Sequence, residues 1–262
     1  MSIMTTISVI IPSYNSSNTL NRAIKSVSYA DEIIVVDDAS TDSTADTLDS
    51  LKIRYRNLHI IRNSENHGPA ASRMAGIKLA SCEWVTFLDA DDYLSANSLP
   101  RFIAGIERCG VDIVQARMTL RIGAFMFPYR LKSKYDTSKV IDACLYDDRL
   151  FPVHCCGKFY RRVLLESTEY ISSQTRWGED RLFNLSVMSS SPRIVVDKSL
   201  RYNYVVRHRF NHHRNPRIAD DIKEVAKVKI EWCKSNSRES DIPQIIQERD
   251  LLLNYVLTQR AK

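Results

Sequence analysis

The run Trp84-Val85-Thr86-Phe87-Leu88 constrains this chain more than any other stretch, because it stops abruptly at Asp89-Ala90-Asp91-Asp92. An apolar run of that length suits one buried strand. Three acids within four residues at its end are costly unless something cationic meets them. Two carboxylates one residue apart suit a hard divalent ion such as Mg²⁺ or Mn²⁺, whose shell substrate phosphates complete. Taken alone, the stretch leaves a second reading open, an acidic turn capping the next helix.

Earlier segments repeat the pattern of a buried strand followed by a polar stop. Ile7 to Pro12 leads into Ser13-Tyr14-Asn15, and Glu32 to Val36 ends at Asp37-Asp38-Ala39-Ser40. Between them, Asn18 is placed to cap a helix carrying Leu20, Ala23, Ile24 and Val27, and Ser43 to cap one carrying Leu48, Leu51 and Tyr55. Leu58 to Ile61 is a short third strand, and Asn63 to Gly68 is a polar turn before a helix with Ala70, Met74 and Ile77. Leu99, Phe102, Ile103 and Ile106 mark the helix after the acids. This alternation predicts an α/β layer with a mostly parallel sheet covered on both faces. Ligands of such sheets sit beyond the carboxyl ends of the strands. Pro12 to Asn15, Asp37-Asp38 and Asp89 to Asp92 are therefore expected to converge on one pocket.

After residue 110 the pattern loosens. Val111 to Met118 reads as a strand, and Arg121 to Tyr135, aromatic and basic, as an exposed loop or hairpin. Gly157 to Arg162 suggests a short strand leading into a helix, and Trp177-Gly178-Glu179-Asp180 precedes a helix with Leu182, Leu185 and Val187. Ile194 to Val196 and Leu200 to Val206 read as two further strands. The end is helical, with Ile218, Ile222, Val225, Val228 and Trp232 on one face and Ile242, Ile245, Ile246, Leu253 and Val256 on another.

The composition narrows the chemistry. With 262 residues the chain allows one large α/β domain, or one with a helical appendage. No apolar run approaches the roughly 18 residues of a membrane span, and Met1 to Thr6 lack the basic start of a signal peptide. None of the six cysteines forms a Cys-x-x-Cys pair, which speaks against zinc and fits a reducing, cytoplasmic compartment. The net charge of +6 is biased toward the later arginines, Arg201 to Arg217, a segment suited to phosphates of a nucleotide, a nucleic acid or an anionic membrane. The chain has only 7 glycines and no Gly-x-Gly-x-x-Gly or Gly-x-x-x-x-Gly-Lys motif, which excludes the usual dinucleotide and P-loop phosphate cradles. A divalent ion on Asp89-Ala90-Asp91 is the remaining device for a diphosphate, with Arg207 and Arg209 as supporting cations.

Four blocks then carry a resemblance: Ser8 to Asn15, Ile33 to Thr44, Asn66-His67-Gly68-Pro69-Ala70-Ala71-Ser72-Arg73, and Phe87 to Asp92. In this order and spacing they resemble the signature blocks of the family 2 glycosyltransferases. The resemblance implies the GT-A fold, an α/β nucleotide-sugar-binding fold with a mostly parallel sheet flanked by helices. It would span residues 1–210, with 1–110 binding the nucleotide-sugar and 111–210 the acceptor, followed by C-terminal helices at 211–262. It implies an inverting transfer of one sugar from a nucleotide-diphosphate donor, most often a UDP-sugar, to a hydroxyl of a saccharide or lipid-linked saccharide. Pro12, Tyr14 and Asp38 match positions that hold base and ribose, and Arg73 a residue near base and phosphates. Asp89 and Asp91 match the Asp-x-Asp motif that binds Mn²⁺ or Mg²⁺, with Asp92 as an alternative ligand. Lys158 falls among the donor-binding candidates, and Glu179-Asp180 resembles the pair whose aspartate is taken as the catalytic base. Arg207 and Arg209 match a late phosphate-binding stretch loosely, and His212 or His213 is a candidate late metal ligand.

Arg176-Trp177 lacks the Gln three residues ahead of the Arg that processive polymerases of the family carry, which favours single-sugar transfer. Relatives of this kind build bacterial surface polysaccharides of the lipopolysaccharide type at the inner face of the membrane. A peripheral contact of Arg121 to Tyr135 and Arg201 to Arg217 with anionic lipid is therefore expected. The alternatives are a sugar-phosphate nucleotidylyltransferase, which needs a glycine-rich loop where Pro12-Ser13-Tyr14-Asn15 stands, and a nucleic-acid-binding module. The latter leaves the acids at three strand ends unexplained, so no nucleic-acid partner is expected.

Overall fold

Branching at Cβ suits a pleated, buried surface, and the Ile- and Val-rich segments Ile7–Ser13 (β1) and Glu32–Asp37 (β2) form interior strands. The computed structural model describes residues 5–105, 110–128, 137–146, 153–170, 175–206 and 216–260. Leu20–Ser26 (α1) leads to β2, and Thr44–Arg54 (α2) to the short strand Leu58–Arg62 (β3). Pro69–Leu79 (α3) leads to Trp84–Phe87 (β4). These four strands pair in the order β3-β2-β1-β4, all parallel, with Ile34, Ile10 and Phe87 in register across three of them. The helix α3 lies so close to β1 that a Cβ at Gly76 would stand 2.3 Å from Ile10 Cγ2, leaving no room for a side chain there.

The caps differ in detail from the sequence reading. Thr19, not Asn18, caps α1, and neither Thr19 nor Ser43 makes a side-chain capping bond. Loop-to-loop hydrogen bonds fix these helix starts instead, as described below.

Past the acids come Tyr93–Leu94 (β5), Ser98–Ala104 (α4), Ile113–Ile122 (β6) and Phe125–Pro128 (β7). The last two form the hairpin expected from the aromatic, basic stretch, as far as its residues are described. Thr137–Tyr146 (α5), Lys158–Arg161 (β8), Arg162–Glu166 (α6), Glu179–Met188 (α7) and Ile194–Val206 (β9) follow. Ile218–Ser235 (α8) and Ile242–Arg260 (α9) end the described chain. The sheet continues from β4 through antiparallel β8 to β6, which pairs with β9 in parallel, and β5 closes the far edge on β9. The two strands expected at 194–196 and 200–206 are one strand, because a register jump between Ala116 and Arg117 of β6 absorbs the polar Asp197-Lys198-Ser199 break.

The chain forms two compact units. The first, residues 1–136, 156–168 and 192–207, holds the whole sheet with α1 to α4 and α6. Its core includes Trp84, edge-on to Phe102 at 5.3 Å, with Phe102 stacked on Phe159 at 4.1 Å. The second, residues 137–155, 169–191 and 208–262, is helical: α5, α7, α8 and α9. The helices of 211–262, expected as a C-terminal extension, thus share a unit with α5 and α7. Ile245 and Val256 of α9 are buried as expected, whereas Ile246 is exposed. The second unit also buries an ionic triad. Glu248 accepts hydrogen bonds from Arg181 Nη1 at 2.7 Å and Lys229 Nζ at 2.9 Å, and Lys229 also donates to the Leu145 carbonyl. Among the described residues no helix is long and apolar enough to cross a membrane.

Candidate active site

The loops after β1 and β2 are knitted together by their own polar side chains. Asn15, in the left-handed region at φ 50°, accepts through its side-chain oxygen from the Thr41 N–H at 2.8 Å and the Asp42 N–H at 3.3 Å. Asn is among the few side chains that tolerate this backbone. Ser40 Oγ accepts from the Asn15 N–H, and Thr44 Oγ1 from the Ser16 N–H, both at 2.9 Å. Asp42 closes the junction by accepting from the Thr44 hydroxyl and from Ser17 Oγ, and the Thr44 bond is the main reason its carboxyl titrates below the usual range. Pro12 stands opposite Val36, one residue before the last pair of β1, Ser13 opposite Asp37, and the Tyr14 ring stands half exposed beside this junction.

Asp38 is buried and turned toward the chain itself. Its carboxylate accepts from Asn63 Nδ2 at 2.8 Å, the His67 N–H at 3.0 Å and the Gly68 N–H at 2.7 Å. A carboxylate offers about four acceptor positions, so most of this one is spent on the Asn63 to Gly68 turn. Asp38 thereby sets the start of α3, where Gly68 at φ 89° precedes Pro69. Arg73, on the same helix and buried, donates from Nη2 to Asp89 Oδ1 at 3.1 Å.

The three acids are sorted by their surroundings. Asp92 is 1% exposed; its Oδ2 accepts from the Tyr202 hydroxyl at 2.6 Å and its Oδ1 from the Val205 N–H at 2.7 Å. Burial, aided by the nearby Asp89 and only partly opposed by these bonds, pushes its carboxyl up to about 8. Tyr202 also accepts from the Asp89 N–H at 3.3 Å, so one hydroxyl clamps both ends of the turn to β9. Arg22 Nη2 holds the Asp91 carbonyl. The Asp89 side chain retains 31% exposure and Asp91 is half-buried. Both oxygens of Asp92, expected as an alternative metal ligand, are therefore taken by β9, and Asp89 and Asp91 are the pair less deeply enclosed. Among the described residues no three His, Cys, Asp or Glu groups form a ready-made metal cage. A hard ion that keeps substrate phosphates in its shell needs no such cage, and two carboxylates one residue apart fit it.

Lys158, expected among the donor-binding residues, is 1% exposed and sits inside the sheet on β8, where its carbonyl accepts from Thr86 Oγ1 at 2.7 Å. Its strand β8 is an interior one, paired antiparallel with β4 on one side and β6 on the other, which a short strand read in isolation does not reveal. Arg207, Arg209, His212 and His213 lie outside the described residues.

Glu179 and Asp180 belong to the second unit, in the first turn of α7. Gly178 before them adopts φ 77°, and a Cβ there would press on Val225 at 3.1 Å. Trp177 packs against Ile218, Ile222 and Val256. The Asp180 carboxylate accepts from the Cys155 thiol at 2.9 Å through Oδ1, and His154 Nδ1 lies 3.4 Å from Oδ2. Sequence reasoning missed His154 and Cys155 because only the fold brings residue 154 to residue 180. It also missed Tyr202 and Arg22 as holders of the acidic turn; Tyr202 lies in Leu200 to Val206, which read only as a strand.

The first unit is thus an α/β layer whose parallel strands end in mutually bonded loops, with Asp89 held by Arg73. Residues 8–168 match the model of Glycosyl transferase family 2, and the chain belongs to that family. It is 27% identical over 254 residues to the poly(ribitol-phosphate) beta-N-acetylglucosaminyltransferase TarS of Staphylococcus aureus (strain Mu50 / ATCC 700699), covering 92% of this chain and 43% of TarS. It is 31% identical over 209 residues to the minor teichoic acid biosynthesis protein GgaA of Bacillus subtilis (strain 168), covering 75% of this chain and 46% of GgaA. The chain thus spans less than half the length of these two relatives. The crystal structure of S. aureus TarS 1-349 in complex with UDP-GlcNAc superposes with a TM-score of 0.67 at 23% identity, covering 86% of this chain and 67% of that one. That likeness establishes the shared fold.

Proposed function

We propose that the chain is an inverting, metal-dependent glycosyltransferase that moves one sugar from a UDP-sugar to a hydroxyl of a cell-surface polymer. UDP-N-acetylglucosamine is the first donor to test, and polyol-phosphate or saccharide chains are the acceptors. The observation that carries the reading is the braced turn at the end of β4, where Arg73 and Tyr202 hold Asp89 and Arg22 holds the Asp91 carbonyl. The name of TarS, which specifies β-linked N-acetylglucosamine on poly(ribitol phosphate), supports the choice of substrates.

Asp91 and Asp89 would hold Mn²⁺ or Mg²⁺, which when bound supplies positive charge to the departing diphosphate. Arg73 fixes the Asp89 carboxylate. Asp92 and Tyr202 keep the backbone of the turn in place. Asp38 and Asn15 shape the loops against which base and ribose rest, beside Tyr14. Arg207 and Arg209 serve as further cations for the diphosphate. Asp180 accepts the proton of the attacking hydroxyl, the one base an inverting displacement requires, and Glu179 is next in line.

With UDP-N-acetylglucosamine, Mn²⁺ and poly(ribitol phosphate), the expected product carries β-linked N-acetylglucosamine, read by the anomeric proton coupling. An α-linked product, or none with any UDP-sugar, contradicts the proposal. A peripheral membrane contact is supported by the β6–β7 hairpin, whose Phe125, Met126 and Phe127 are all exposed. The chain is expected to co-sediment with anionic vesicles at low salt, and failure to do so removes that contact.

A further inference from the structure

Asp180 sits in a built surrounding within the second unit. Asn184 Nδ2 donates both to the Val153 carbonyl at 2.7 Å and to the Asp180 carbonyl at 2.9 Å, which ties the Val153 to Cys155 segment to the first turn of α7. The Cys155 thiol occupies Oδ1, and His154 Nδ1 stands 3.4 Å from Oδ2. Exposure rises along this line, from 19% for the Asp180 side chain to 45% for that of His154.

We propose that His154 is the outlet for the proton that Asp180 accepts in each transfer, an inference that rests on reading Asp180 as the base. As the acceptor oxygen bonds to the anomeric carbon, the carbon–oxygen bond to the diphosphate breaks and its electron pair leaves with the diphosphate. The acceptor's proton moves to Asp180. That proton must go before Asp180 serves again, and the carboxyl is less open to solvent than the imidazole beside it. Imidazole is the side chain suited to shuttling protons near neutrality. Nδ1 takes the proton from Oδ2, and the exposed imidazole releases one to water. Cys155 is a positioning residue, holding Oδ1 so that Oδ2 faces the imidazole.

The test compares His154→Ala, Asp180→Asn and the unaltered chain by rapid-quench transfer from UDP-N-acetylglucosamine to poly(ribitol phosphate) with Mn²⁺. His154→Ala is expected to keep its first turnover and its affinity for UDP, and to slow at least about tenfold in later turnovers, within the range that assisted proton transfer spans. Free imidazole in the buffer is expected to restore the later turnovers. A merely structural role would slow the first turnover equally and would resist imidazole, and either that result or unchanged later turnovers overturns the proposal. If Asp180→Asn transfers normally, the base reading has failed and the outlet falls with it. If Asp180→Asn is inactive while His154→Ala matches the unaltered chain, only the outlet is wrong. No transfer by the unaltered chain overturns the proposed function and this inference together.

Discussion

Replacing Asp180 with Asn is expected to lower the transfer rate by about 10²–10⁴-fold, the usual contribution of a positioned base, with donor affinity nearly unchanged. Asn keeps the shape of the carboxylate, so its Oδ1 can still accept from the Cys155 thiol and the first turn of α7 should stay in place. What it removes is the acceptor for the proton. The measurement is kcat and KM for the donor in parallel, with a melting curve to confirm the fold. A loss confined to kcat matches an interaction made during the reaction. Full activity moves the base elsewhere, to Glu179 first.

The second large effect concerns stability. Glu248→Leu is expected to destabilise the second unit by about 3–5 kcal/mol, because it leaves two buried cations without their anion. In a chain of this size that is a fall in Tm of about 6–20 °C. Burial pushes the Lys229 amine down to about 8, Arg181 adds to the push, and Glu248 opposes it. With Glu248 gone Lys229 escapes by shedding its proton near neutrality, but Arg181 has no such exit. Replacing all three by apolar residues of similar volume is expected to recover most of the loss. The pH dependence has a definite sign. Burial works to raise the Glu248 carboxyl, but Lys229 and Arg181 outweigh it and hold the folded-state value below the ordinary one. The Glu248 carboxyl's contribution is therefore full above its unfolded value near 4.5 and lost as pH falls through the lower folded value. Glu248→Leu should flatten that part of the stability curve.

The parallel half of the sheet was legible because each strand carries its own signal. Ile, Val and Phe runs that end at Asn15, Asp38 and Asp89 give both the layer and the end where a ligand sits. The pairing of Asp38 with Gly68, and of Arg73 with Asp89, lay within blocks already singled out, although not the bonds themselves. What stayed hidden depends on residues far apart in the chain. Asp92 looks like a ligand until β9, more than a hundred residues later, brings Tyr202 and Val205 onto its oxygens. Lys158 was expected to meet the donor, yet it lies buried on an interior strand between two antiparallel neighbours. Glu248 carries no local sequence signal, yet two buried cations claim it. The helical unit itself is assembled from three separate segments, and no local pattern announces that.

The proposed function requires Asp89 and Asp91 to hold a divalent ion whose charge favours binding of a UDP diphosphate. Calorimetric titration of UDP into the unaltered chain and into Asp91→Ala, each with Mn²⁺ and with the metal chelated, tests it most directly. The account predicts that Mn²⁺ tightens UDP binding to the unaltered chain by at least about tenfold, ~1.4 kcal/mol, and that Asp91→Ala abolishes this gain. UDP binding that ignores both the metal and the substitution would contradict it.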